Sequence, residues 1–358
     1  MPIFFILSGF SLSVIYGENI HKITFYRNRF ARIYPVYFLT MMFVLPLKFT
    51  DFGGPKNYED NDIITWIASI ITNLLLVNMW ILIAPINGPS WFISVLWFQY
   101  LIFPFTIKYY KTTHHKLLSI IAHVILTMTV STFLFMKFNF ILSTMNIISP
   151  SFFMFHAGVL SGLWCHERTV TLQGSENKEI VMERWAKCTD LSTFLLFLWV
   201  SISTILQIFG ISINANFVIQ IYGTPFMTLT IISLTLDEGT SKFAALCNTK
   251  QLQFLGKISM SWYLVHYSLI QYFCWILECI APNTLELTDY DTRLLKGGSM
   301  PWWGVFIMVP LSLVVAFVVE RFVESPCRKF LRCERKRSRD VDLNITPLLD
   351  GNTVNYNA

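Results

Sequence analysis

Apolar residues gather into long stretches at residues 2–16, 33–48, 62–83, 90–107, 117–136, 147–165, 191–209, 213–236, 257–280 and 301–323, with short polar connections between them. Most approach the ~20 residues with which an α-helix crosses a bilayer. Within lipid the backbone amides must find partners inside the segment, so these stretches are predicted to be helices. The alternating ten-residue pattern of a membrane barrel does not occur. The expectation is an all-α, polytopic transmembrane helix bundle of about nine to ten membrane segments.

Charge sets the orientation. Lys22, Arg27, Arg29 and Arg32, then Lys108, Lys111 and Lys116, then Lys242, Lys250 and Lys257 mark cytoplasmic connections, because short loops rich in Lys and Arg stay inside. The stretch DFGGPKNYEDND and the region of Glu286, Asp289 and Asp291 are acidic and are expected outside. These assignments conflict over 62–83: either it is a re-entrant or interfacial element, which gives nine crossings with Met1 outside and the C-terminus inside, or one loop departs from the charge rule and 62–83 crosses. Residues 1–330 form the membrane domain in this reading. Residues 331–358 form a basic, then polar cytoplasmic tail with the composition of a disordered segment.

Composition agrees. Apolar residues make up 54% of the chain and charged ones 14%, more apolar surface than a water-soluble core needs. The net charge of +5 sits mainly between spans and in the tail, a mark of topology rather than of nucleic-acid binding. The seven cysteines are dispersed, with neither metal-ligand spacing nor a disulfide framework, so no metal is expected. Partners are therefore the lipid bilayer and whatever the bundle binds within it.

Four stretches carry chemistry. In YRNRFARIYP, residues 26–35, Arg29 and Arg32 are three apart and share a helix face, with Pro35 expected to open the next span. They serve either as a positive-inside anchor or as an anion site gripping phosphates. In NGPSWFISVLWFQYLIFP, residues 87–104, Trp91, Ser94 and Trp97 make a polar-aromatic face that also fits an interfacial belt. In FLGKISMSWYLVHYSLI, residues 254–270, His266 lies within an apolar stretch beyond Ser259, Ser261 and Tyr263, and His123 and His156 are similarly placed. An intramembrane histidine is either packed and hydrogen-bonded or functional. In ERFVESPCRKF, Glu324 and Arg328 flank Pro326.

Taken in order, FFILSGF, FYRNRFARIYPVYFL, PSWFISVLWFQYLIFP, FMFHAGVLSG, LGKISMSWYLVH and VESP-x-RKF resemble the acyltransferase-3 family of membrane O-acyltransferases, from Phe4 to about Arg328. The resemblance implies transfer of an acyl group, commonly acetyl, from an acyl-CoA-type co-substrate to a hydroxyl of a glycan, lipid or small metabolite, with no bound cofactor. It assigns Arg29 and Arg32 to donor binding, and Ser8, Trp91, Ser94 and Tyr263 to the substrate pocket. His266 matches a family histidine near the end of the bundle and is the candidate base. Two departures stand out: Leu96 occupies the place of a family glutamate, and the family's usual histidine lies on a helix before FFILSGF, which this chain is expected to lack. A non-catalytic binding or scaffold relative is the alternative. A transporter is disfavoured by the absence of an inverted repeat and by the near absence of intramembrane acids for ion coupling.

Overall fold

The computed structural model describes residues 2–17, 20–49, 63–81, 83, 85–137, 143–173, 175–209, 221–280, 301 and 303–331; the expected tail and the acidic connections lie outside these residues. Among the described residues the regular structure is all helical: α1 (Pro2–Tyr16), α2 (Lys22–Val44), α3 (Ile63–Leu74), α4 (Ser90–Lys111), α5 (Lys116–Lys137), α6 (Ser143–Gln173), α7 (Lys178–Ile208), α8 (Thr224–Leu236), α9 (Lys242–Cys247), α10 (Lys250–Ile280), α11 (Gly304–Val319) and α12 (Ser325–Leu331). A π-helical turn, Glu320–Glu324, joins the last two.

Among the described residues six stretches are long and apolar enough to cross a membrane: Lys22–Lys48, Ser90–Lys111, Lys116–Leu134, Ile148–Gln173, Lys178–Leu206 and Gly304–Leu331. That is fewer than the nine to ten membrane segments expected from sequence, and the reasons are physical. Helices α1 and α8 have 15 and 13 residues, short of the ~20 that span a hydrocarbon core. Helix α3 has 12 described residues, fewer than a crossing needs. Helix α10 has the length, at 31 residues, but lysines, glutamines, serines and His266 dilute its apolar character.

A second correction concerns Pro35. It does not open a span but lies inside α2, which starts thirteen residues earlier at Lys22, where the His21 ring accepts from the Thr24 amide at 3.4 Å. The arginines are therefore on the same continuous helix as the apolar run, at its beginning.

The described residues fall into two compact units. The first draws on Met1–Ile20 and Ile102–Gln253. Its centre is the contact of α1 with α6, made close by Gly9, Gly158 and Gly162. A Cβ at Gly9 would overlap the Phe155 carbonyl, and one at Gly158 the Ile6 carbonyl. Small residues in such a spacing let helix backbones approach where lipid offers no hydrophobic drive. Helix α5 packs on α6, and α7 on α8, with Thr230 donating to Ser192 at 3.1 Å. The Asp190 carboxylate accepts from the amides of Lys242 and Phe243 and so caps α9.

The second unit comprises His21–Leu101 and Phe254–Lys336. Its connection between α3 and α4 is pinned by side chains. Tyr37 donates to the Asn73 carbonyl at 2.7 Å, and the Asn73 side chain accepts from the Ile86 amide at 3.1 Å. Leu76 has a left-handed backbone, φ 60°, a conformation that costs a non-glycine residue about 1–2 kcal/mol. Ser94 holds it there: its hydroxyl donates to the Leu76 carbonyl at 2.8 Å and accepts from the Met79 amide at 3.3 Å.

These contacts predict the stability of three variants. Gly158→Ala should cost about 1–3 kcal/mol because backbone stands where the methyl must go, whereas Gly256→Ala, with nothing within 4 Å, should be neutral or stabilise by about 1 kcal/mol. Ser94→Ala should cost about 1–3 kcal/mol by leaving buried backbone groups unpaired. Thermal unfolding in detergent measures all three, and equal midpoints for the two glycine variants would contradict the packing described.

Candidate functional site

The site candidates cluster in the second unit around two features, a charge cluster and an aromatic turn. The charge cluster begins with α2, whose first turns carry Arg27, Arg29 and Arg32. This part of α2 packs against the π turn and α12. Arg27 is committed to structure: its Nε donates to the Leu331 carbonyl at 2.6 Å and so holds the end of α12. Arg32 lies in the electrostatic field of Glu324, with Arg29, Arg328 and Tyr100 also near it.

Glu324 is the centre of this group, 2% exposed. Its Oε2 accepts from the Ser261 hydroxyl of α10 at 2.7 Å, and its Oε1 faces the Arg328 guanidinium at 3.8 Å. Glu320, 1% exposed, pairs with Lys257 of α10 at 3.4 Å. Its other oxygen, Oε1, is buried with no hydrogen-bond partner among the described residues. Both carboxylates sit on the π turn, a form of helix that recurs at functional sites because it displaces side chains from the regular ladder. A buried carboxylate is sustained only by cations and donors placed around it, and here Ser261, Arg328 and Arg32 supply them.

Sequence reasoning placed Arg29 and Arg32 on one helix face, and the structure does the same. It singled out Glu324 with Arg328 but not Glu320, and it did not foresee that both acids are buried against α10. The available signal was the acids in an otherwise apolar run, since an ionisable residue at membrane depth is a candidate by default.

The aromatic turn is Asn87-Gly88-Pro89-Ser90, which leads into α4 and lies on α10. Tyr263 donates to the Pro89 carbonyl at 2.8 Å, and the Asn87 amide donates to the Leu264 carbonyl at 3.0 Å. The Phe92 and Tyr263 rings meet edge to face at 5.5 Å. Gly88 allows close packing here, since a Cβ would stand 2.6 Å from the Tyr267 ring and displace it. Trp91 is half-buried one residue into α4, and Leu96 is buried a turn and a half further on. Ser94, whose hydroxyl is occupied by Leu76 and Met79, clamps the backbone.

His266 is half-buried on α10, 6.0 Å from the Tyr263 ring. Its Nδ1 faces the Trp262 carbonyl at 3.2 Å. A carbonyl only accepts, so the proton is on Nδ1 and the lone pair on Nε2. Among the described residues nothing hydrogen-bonds that Nε2. Gln99 adds a missed candidate: it is fully buried in α4, and neither its oxygen nor its nitrogen has a partner among the described residues. Such an amide calls for water or a ligand.

Ser8 belongs to the first unit, half-buried on α1, with its carbonyl accepting from Ser11 at 3.3 Å. That unit also gathers His123 and His156, ring centroids 6.4 Å apart, with Tyr110 at 3.2 Å from the His123 Nε2. No group of three or more metal-ligating side chains occurs among the described residues.

A curated relative, the acyltransferase MdmB of Streptomyces mycarofaciens, is 32% identical over 112 residues, 29% of this chain and 27% of that protein, so the match spans about a quarter of the relative's length. No solved structure matches the chain. The family model described as an acyltransferase domain matches residues 1–321. The chain is therefore a member of the acyltransferase-3 family, an integral, multi-pass membrane protein.

Proposed function

We propose that this protein is a membrane O-acyltransferase that moves an acyl group, in the simplest case acetyl, from an acyl-CoA-type donor to a hydroxyl of a glycan, lipid or small metabolite. The family match over residues 1–321 carries this reading. The chemistry of the second unit supports it.

Arg29 and Arg32 present guanidinium groups at the start of α2, where the positive-inside rule places the cytoplasm, the compartment of acyl-CoA. Guanidinium forks suit the donor's phosphates. Glu324 acts on Arg32 electrostatically, so a donor phosphate would compete with this carboxylate for the guanidinium. His266 lies five residues beyond Ser261 on the same helix, about 7.5 Å further along its axis. With its proton on Nδ1, its Nε2 accepts the proton of the acceptor hydroxyl. The alkoxide oxygen then bonds to the thioester carbonyl carbon. The tetrahedral adduct collapses with cleavage of the C–S bond, and the departing thiolate takes the proton from Nε2. The products are an ester and free coenzyme A thiol. Trp91 and Tyr263 flank the acceptor side, and Gln99 offers an amide for a polar group of either substrate.

One observation favours a second reading, a non-catalytic relative that binds the donor or an acceptor. Leu96, buried and apolar, stands where the resemblance expects a glutamate and cannot exchange a proton.

Proteoliposomes containing the protein, labelled acetyl-CoA and pooled hydroxyl acceptors separate the two. Label should appear in hydroxylamine-labile esters. His266→Asn should lower kcat by about 10²–10⁴-fold with little change in KM. Arg32→Gln should instead raise KM for the donor about tenfold or more, the loss of a charge-assisted phosphate contact. Donor binding without ester formation in any pool would favour the binding protein, and a fully active His266→Asn would remove His266 from the mechanism.

A further inference from the structure

In the first unit, α8 ends on a carboxylate that no cation balances. Asp237 is the first residue beyond α8 and is 0% exposed. Its Oδ1 accepts from the Gly239 amide at 2.8 Å, while its Oδ2 is buried with no hydrogen-bond partner among the described residues. None of the ion pairs among the described residues includes it, and the lysine that reaches this turn, Lys178, pairs with Glu238 at 2.9 Å. Cys247 of α9 lies in the field of Asp237, but burial, and then that carboxylate, raise the thiol, which stays neutral and supplies no positive charge.

The main chain adds acceptors at the same place. The last four carbonyls of an α-helix lack intrahelical donors, and here one of them is met, Ser233, by the Asp237 amide at 2.9 Å. The Gly239 amide turns to the Asp237 side chain, and the amide and hydroxyl of Thr240 both donate to the Asp237 carbonyl, at 3.1 and 2.8 Å. No hydrogen bond from a described residue reaches the carbonyls of Leu234, Thr235 or Leu236, and Leu236 is buried. With Glu238 and Gly239 at φ of 48° and 89°, the chain turns without the bonds that commonly close a helix end. A helix C-terminus carries a partial negative charge, so a buried carboxylate here has the unfavourable end of α8 beside it.

We propose that the C-terminus of α8 binds a hard monovalent cation, Na⁺ or K⁺, through the Asp237 Oδ2 and the main-chain carbonyls of Leu234, Thr235 and Leu236. Hard cations take oxygen ligands of these two kinds, and helix C-termini coordinate Na⁺ in membrane proteins. Charge sets the valence. One positive charge neutralises one buried carboxylate, whereas a divalent ion would leave a net charge in place. Lys242, Lys250 and Lys257 mark this turn as cytoplasmic, and the exposed Glu238 and Thr240 show that it meets solvent.

The ion would brace a corner that α7 already reaches at two points. Lys178 of α7 pairs with Glu238, and the Asp190 carboxylate of α7 accepts from the Lys242 and Phe243 amides at the start of α9. The site belongs to the first unit and is independent of the acyltransferase reading.

The test uses the whole protein in detergent micelles, with thermal unfolding followed as choline chloride is replaced by KCl or NaCl at constant ionic strength, so that screening is unchanged. The midpoint should rise saturably with K⁺ or Na⁺, by about 2 °C or more at ten times the dissociation constant. Asp237→Asn, which keeps the shape and removes the charge, should abolish the difference between the salts. Asp190→Asn should lower the midpoint in every salt by loosening the start of α9, yet keep the ion dependence, which separates ion binding from general weakening of this corner. Equal wild-type midpoints in the three salts, an ion dependence that survives Asp237→Asn, or one that is lost in Asp190→Asn would overturn the proposal. A response to Ca²⁺ or Mg²⁺ in place of the monovalent ions would also overturn it, by assigning the turn to a divalent ion.

Discussion

A carboxylate buried in protein must be compensated or neutralised, and Glu324 shows how this chain meets that requirement. Ser261 donates to it, Arg328 faces it one turn away, and Arg32 reaches it electrostatically from α2. Three stretches far apart in sequence are thereby fixed at one end of the second unit. Their arrangement follows from the cost of an uncompensated buried charge, which exceeds that of most packing defects. Under the function proposed above, a donor phosphate at Arg32 would compete with the Glu324 carboxylate, which acts on the same guanidinium electrostatically.

The two units solve different problems with different chemistry. In the first, Gly9 and Gly158 bring α1 and α6 into backbone contact, the packing that suits helices in lipid. In the second, backbone carbonyls accept from side chains: Pro89 from Tyr263, Leu264 from Asn87 and Leu76 from Ser94. These bonds position the turn before α4 against α10 and leave Trp91 and His266 only half-buried. The unit thus has rigid backbone around the candidate chemistry and buried polar atoms, on Gln99 and Glu320, that the described residues leave without partners.

Much of this was legible from sequence, and the exceptions have identifiable causes. Helix type and the shared face of Arg29 and Arg32 follow from local pattern and spacing alone. The order of the motifs led to the acyltransferase-3 family, which the match over residues 1–321 establishes. Among the described residues fewer helices reach membrane length than the apolar stretches suggested, since α1 and α8 have 15 and 13 described residues. Pro35 was misplaced because a helix interior tolerates one missing amide when the helix has begun thirteen residues before it. The role of Ser94 was invisible because its partners, Leu76 and Met79, are set by a left-handed turn that no spacing announces. Burial of Glu320 and Glu324 depends on α10 lying beside the π turn, a tertiary fact.

The central claim is that the arginines of α2 bind the donor's phosphates in competition with Glu324. Titration calorimetry with acetyl-CoA on the wild type, Arg32→Gln, Glu324→Gln and the double variant tests it most directly. The account predicts tighter binding in Glu324→Gln, weaker binding in Arg32→Gln, and a double variant in which the gain from Glu324→Gln is largely lost, a coupling of about 1 kcal/mol or more. Unchanged affinity in Arg32→Gln, or strictly additive effects, would contradict it.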